Sequence, residues 1–180
     1  MRDTAAGDAF DIAPALRVRR FLDSLGVAYE VLHCTPELSD TAVFCDHYGY
    51  DLDNSANTLI VTSKTGVKQY VACVLLGSTR LDVNRIVRKR MGARRLSFAA
   101  PEETRELTGM ELGGVTPLAL PDDVPLWVDS QVMQRPYVIL GGGSRDCKIK
   151  AAPSLFLSTP NTTVVEGLAY PPYSADFNNN

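Results

Sequence analysis

The chain has 180 residues, 45% of them hydrophobic, 22% charged and 8% aromatic, a balance that supplies one sizeable core and excludes intrinsic disorder or a collagen-like repeat. Its longest apolar-rich run, Val71 to Leu76 within Val67 to Gly77, falls far short of the roughly 20 residues a membrane span needs. The net charge of −3 argues against a general nucleic-acid binder, yet Arg80 to Arg95 carries seven basic residues against the single acid Asp82, a local +6 that leaves −9 for the rest.

Residues 1–13 read as a flexible N-terminus, with acids where a secretion signal places positive charge, so export is not expected. Pro14 to Leu25 has helical apolar spacing and Gly26 as its stop. A strand over Ala28 to His33 ends before Pro36, and Ser39 or Asp40 can cap a helix over Thr41 to Tyr48, closed by Gly49. Asn57 to Ser63 and Val67 to Leu76 are β-rich runs either side of Lys64-Thr65-Gly66, the pattern of a hairpin apolar enough to be central.

Leu81 to Met91 returns to helical spacing, with Arg85, Arg88 and Lys89 on the face opposite its apolar residues. A short strand at Leu96 to Phe98 and a helix over Pro101 to Leu107, with acids in its first turn, precede a glycine-rich loop from Thr108 to Pro121. Strands are expected at Leu126 to Asp129, Tyr137 to Leu140, Cys147 to Ala151 and Thr163 to Glu166, with a helical turn at Pro153 to Leu157. Residues 170–180 are too rich in Pro and Asn to pack and read as a flexible tail. The expectation is one α+β domain over residues 14–169, built on a mixed sheet surrounded by helices.

Chemistry-bearing signals are few. The four cysteines, Cys34, Cys45, Cys73 and Cys147, are too widely spaced for a CxxC pair and read as reduced, buried thiols of a cytoplasmic protein. His33 and His47 have no ligand spacing to a carboxylate or thiol, and Cys34 next to His33 on a strand points to the opposite face, so neither a metal nor another cofactor is expected. Two glycine-rich segments remain, Thr108 to Pro117 and Gly141 to Asp146, each able to bring backbone N–H groups close to an anion or a carbonyl. The first fits neither a P-loop nor a dinucleotide fingerprint, and the second also fits a plain hairpin turn.

Thr108-Gly109 followed by Gly113-Gly114-Val115-Thr116-Pro117 resembles the signature of the YbaK / prolyl-tRNA synthetase-associated domain family. Thr41-Ala42, Asn57-Thr58-Leu59-Ile60-Val61, Arg80-Leu81-Asp82, and Gly141 to Asp146 with Lys148-Ile149-Lys150 resemble further family segments in the same order, over about Pro14 to Leu168. The resemblance implies a YbaK-like α+β fold with a partly barrel-like sheet. It also implies hydrolysis, in trans, of the ester of mischarged aminoacyl-tRNA, which is translational proofreading.

Such an ester needs a held carbonyl, donors for the developing oxyanion and an oriented water, and no protein nucleophile. On the resemblance, Asn57, Gly113, Gly114 and Thr116 stand at catalytic positions, while Val115, Pro117, Gly142, Gly143, Ser144 and Arg145 line the substrate site. Arg85, Arg88, Lys89, Arg94 and Arg95 would meet the tRNA acceptor end; an aminoacyl-tRNA synthetase is a second candidate partner, and neither DNA nor a membrane is expected.

Family members usually carry a lysine where this chain has Asn57. That difference implies either a deacylase that borrows Lys64, Lys68 or Arg145 as its cation, or a non-catalytic module that binds aminoacyl-tRNA or a synthetase. A pocket protein for an unrelated small metabolite is the plainer alternative.

Overall fold

The computed structural model describes residues 12–172. Among the described residues, ten strands and five α-helices follow one another as α1 (Pro14–Leu25), β1 (Tyr29–His33), α2 (Thr41–Tyr48), β2 (Ala56–Ser63), β3 (Tyr70–Leu76), β4 (Arg80–Leu81), α3 (Arg88–Met91), β5 (Leu96–Phe98), α4 (Pro101–Thr108), β6 (Leu126–Asp129), β7 (Val138–Gly141), β8 (Cys147–Ala151), α5 (Leu155–Ser158), β9 (Thr162–Val165) and β10 (Ala169–Tyr170). A five-stranded sheet runs in the order β5-β2-β3-β6-β9, parallel where β6 meets β3 and β9 and antiparallel elsewhere. An antiparallel sheet β1-β8-β7 lies beside it, joined through the bridge between Ser55 and Ile139, and β10 pairs with β4. The mixed sheet is as expected. It is open at β5 and β9, however, and does not close into a barrel.

Strand β3 is buried along nearly its whole length because it is covered on both faces. Ala72, Val74 and Leu76 enter the main core with α1 and the three-stranded sheet; Val71, Cys73 and Leu75 enter a second core with Leu81, Val87 and Leu168. A third cluster joins Phe44 and Cys45 of α2 to Ile139 of β7 and Cys34. No helix among the described residues is long and apolar enough to cross a membrane. The N-terminal segment 1–11 and the tail from 173 onward lie outside the described residues.

Three elements differ from the sequence expectation. The hairpin forms with the pairing Thr62 to Tyr70, but Val67 is 80% exposed in the turn, because Ser63 ties its hydroxyl to the Val67 carbonyl and closes the strand early. The helix expected from Leu81 to Met91 begins instead with Leu81 paired to Ala169 in β4; a π-helical turn over Val83–Val87 follows, and only Arg88–Met91 is α-helical. Asp82 causes the wider turn: its carboxylate accepts from the Arg85 N–H at 3.1 Å and its carbonyl from the Val87 N–H at 3.1 Å. Tyr170, assigned to the tail, pairs with Arg80, and the neighbouring Ala169 N–H donates to the buried Asp129 carboxylate at 2.9 Å.

Candidate functional site

Strand β8 reads Cys-Lys-Ile-Lys-Ala, and its alternation sends Ile149 and Ala151 to the main core and Lys148 to the opposite face, toward α2. There Lys148 lies opposite Gly141 of β7 and Leu32 of β1. Only 5% exposed, it donates from Nζ to the Ser39 carbonyl at 2.5 Å and to the Gly113 carbonyl at 3.0 Å, and its ammonium sits 5.8 Å from the centre of the Phe44 ring. Burial pushes this lysine below its ordinary range, and no carboxylate contacts it among the described residues.

Lys148 forms one wall of a cavity of about 160 Å³ that is also lined by Ser39, Asp40, Thr41, Asn57, Leu59, Gly113 and Val115. Asn57 projects from β2, where its Oδ1 accepts a 2.5 Å hydrogen bond from the Thr41 hydroxyl at the start of α2. Asp40 caps that helix by accepting from the Ala42 N–H at 3.1 Å. The hydroxyls of Ser39 and Thr58, both residues of the cavity wall, are buried with no hydrogen-bond partner.

The two glycine segments pack directly on each other. Gly143 N–H donates to the Gly114 carbonyl at 2.9 Å, and a Cβ at Gly141 would stand 2.2 Å from the Val115 carbonyl oxygen. Within the first segment the Gly114 N–H is taken by the Glu111 carbonyl at 2.9 Å, whereas those of Gly113, Val115 and Thr116 have no partner among the described residues. Gly113 and Val115 line the cavity. Thr116 is buried away from it, with an unpartnered hydroxyl, and Pro117 turns to a separate hollow of about 30 Å³ beside Phe21.

The second segment is not part of the cavity beyond Gly141. Gly142 N–H donates to the Cys147 carbonyl at 3.2 Å, so the further substrate wall expected of Gly142 and Gly143 has no free amides to offer. Gly143, Ser144 and Arg145 border a different hollow with Pro36 and Asp146. The substitute cations read from the sequence are elsewhere too. Lys68 pairs with Glu103, Lys64 is exposed at the hairpin turn, and Arg145 is spent on the carbonyls of Leu112 at 2.7 Å and Pro36 at 2.9 Å. Lys148 is the cation of this cavity, and the sequence reading gave it no role.

A larger groove of about 620 Å³ shares Asn57 and Leu59 with the cavity and runs between the five-stranded sheet and the π-helical turn, past Arg80, Asn84, Phe98 and Tyr170. Arg85, Arg88, Lys89, Arg94 and Arg95 are all exposed on the segment that borders it; Arg85 pairs with Asp82 at 2.9 Å, and the neighbouring Arg90 lies over the Trp127 ring. All four cysteines are buried and free. Burial pushes the thiols of Cys34 and Cys45 up, and that of Cys73 to about 12, so none of these three offers a thiolate at neutral pH.

Comparison with known proteins covers most of the chain. Residues 35–157 match the model of a family described as the aminoacyl-tRNA editing domain. EbsC of Enterococcus faecalis, named for a proposed Cys-tRNA(Pro)/Cys-tRNA(Cys) deacylase activity, is 26% identical over 139 residues, which is 77% of this chain and 82% of that protein. Among solved structures, a proposed trans-editing enzyme for prolyl-tRNA synthetase superposes with a TM-score of 0.73 at 24% identity, covering 86% of this chain and 96% of its own. The protein APE2540, of unassigned function, superposes at 0.76 with 27% identity, covering 86% and 99%.

Proposed function

The chain belongs to the aminoacyl-tRNA editing domain family, and from that premise we propose that it hydrolyses the ester of a mischarged aminoacyl-tRNA in trans. The observation that carries this reading is the pairing of a small cavity with a larger groove at two shared residues, Asn57 and Leu59. At about 160 Å³ the cavity lies well below the ~300–1,000 Å³ of sites for drug-sized ligands. It suits the acyl part of a small amino acid, in keeping with the name of the Enterococcus faecalis relative. The groove suits the terminal nucleotide, and the exposed basic residues along its border suit the phosphates that follow.

The ester bond then lies near Asn57. Water adds to the acyl carbon, the bond from that carbon to the ribose oxygen breaks, and the proton lost by the water passes to the departing ribose oxygen, which leaves as a hydroxyl. The unpartnered N–H groups of Gly113 and Val115 and the hydroxyls of Ser39 and Thr58 supply the polar lining for the acyl group. Asn57, held by Thr41, fixes the position of the ester rather than bringing a charge to it.

The test is a panel of mischarged tRNAs incubated with the protein, with loss of the ester followed over time. Faster loss than in buffer for at least one small amino acid is the expected result. Binding of charged tRNA with no turnover of any pair would convict the hydrolase reading and leave a binding module. Affinity for tRNA should fall steeply with added salt, and a flat response would remove the basic segment from the interface.

A further inference from the structure

Lys148 has a chemistry that packing alone does not explain. A buried ammonium is costly to desolvate, and the usual remedy is a carboxylate. Lys148 has none in contact, and its only hydrogen-bond partners among the described residues are two neutral carbonyls, Ser39 and Gly113. An ammonium has three donors, so one remains unspent. The side chain lines the cavity, whose wall also holds the buried, unpartnered Ser39 hydroxyl. Its two carbonyl partners come from distant stretches of the chain, the entry to α2 and the glycine loop, and they fix the ammonium in place before any ligand arrives.

We infer that Lys148 is a catalytic residue, whose third N–H holds the acyl carbonyl oxygen and stabilises the negative charge that oxygen gains when water adds to the carbon. This rests on the proposed hydrolysis of an aminoacyl ester, and it assigns the cationic role to β8 instead of to β2. A charge-assisted hydrogen bond from a buried ammonium is strong, and it strengthens further as the oxygen becomes an anion.

Three variants test it: Lys148→Met, Asn57→Lys, and the two together, compared by kcat and KM on the best substrate of the deacylation panel. Lys148→Met should lower kcat by about a hundredfold, the usual cost of losing one oxyanion donor, and raise KM as well, because the same N–H holds the carbonyl of the bound ester. Asn57→Lys alone should lower turnover, because two ammonium groups then crowd one small cavity. In the Lys148→Met background the same change should raise turnover at least tenfold.

That reversal of sign is a result a purely structural lysine would not produce. Should Lys148→Met fail to fold, as a urea unfolding curve would reveal, the sign of Asn57→Lys alone decides, and a gain in turnover overturns the inference. Turnover of Lys148→Met within about threefold of the parent, or an equal effect of Asn57→Lys in both backgrounds, likewise overturns it.

If the parent hydrolyses no ester, the hydrolase reading has failed by itself. The role of Lys148 is then judged on a non-hydrolysable aminoacyl-adenosine amide. At least tenfold weaker binding by Lys148→Met upholds the contact. Equal binding, or no binding by the parent, ends it.

Discussion

The two glycine segments are nearly interchangeable on paper and opposite in use. In the segment ending at Pro117, Gly113 and Val115 keep their amides unbonded at the edge of a cavity. In the segment from Gly141 to Asp146, the amides of Gly142 and Gly143 are consumed by Cys147 and Gly114, and the glycines are there because backbone lies against backbone. Gly114 belongs to the same contact, since a Cβ on it would stand 2.7 Å from the Ser144 carbonyl carbon. A glycine-rich stretch thus marks close approach, and the register of its hydrogen bonds decides whether the thing approached is a ligand or the chain itself.

The sharpest way to break this comparison is Gly141→Ala. Its Cβ would meet the Val115 carbonyl oxygen at 2.2 Å, and a backbone atom cannot step aside as a side chain can. We expect a loss of about 3 kcal/mol in urea unfolding, at the upper end for overpacking, and a loss under about 0.5 kcal/mol would show that the two segments are not in contact.

A smaller effect separates Gly113→Ala from Gly143→Ala. Both glycines have left-handed φ, 91° and 93°, so each substitution should cost about 1–2 kcal/mol in strain, and Gly143→Ala more, because its Cβ would also stand 2.8 Å from the Pro14 carbonyl. Turnover per folded molecule should fall only for Gly113→Ala, whose Cβ would press on the Ser39 hydroxyl at 2.5 Å in the cavity wall. Equal losses of turnover would place both segments at the substrate.

The smallest effect is expected at Lys68→Ala. Lys68 pairs with Glu103 far from the cavity, so deacylation should be unchanged, and a clear loss would return it to the site. Its signature lies in pH. The hydrogen bond from Lys68 holds the Glu103 carboxyl below its ordinary value, so the pair stabilises the fold above the usual carboxylate range and loses that contribution as falling pH protonates the acid. Unfolding midpoints measured from neutral pH into acid should therefore draw together for parent and variant, and curves that stay parallel would deny the pair any part.

Most elements were legible because apolar spacing and stop residues agree, as in α1 with Gly26 and in the β2–β3 hairpin. The π-helical turn was not legible, because Leu81, Val83, Ile86 and Val87 satisfy helical spacing whether the turn is regular or widened; the widening comes from Asp82 engaging both Arg85 and Val87. Strands β4 and β10 are two residues each and exist only through their mutual pairing, which no local pattern carries.

At the site, Asn57, Gly113 and Val115 were found through motif order, and they do share a cavity. Lys148 was missed for a plain reason: in Cys-Lys-Ile-Lys-Ala both lysines alternate with core residues in the same way, and nothing local tells the buried one from the other. What covers one of them is Ser39 and Gly113, contributed from distant parts of the chain.

The pairing of β1 with β8 sets when all this can come into being. Tyr29 meets Ala151, and His33 meets Cys147, so strand β1 waits for a partner made much later, while the β2–β3 hairpin closes on its own neighbours. A ribosome-bound chain that has not yet emitted its eighth strand holds the hairpin but cannot assemble the ammonium-walled hollow. Competence should arrive abruptly once β8 has paired with β1, and a refolding protein should regain its hairpin before it can recognise anything.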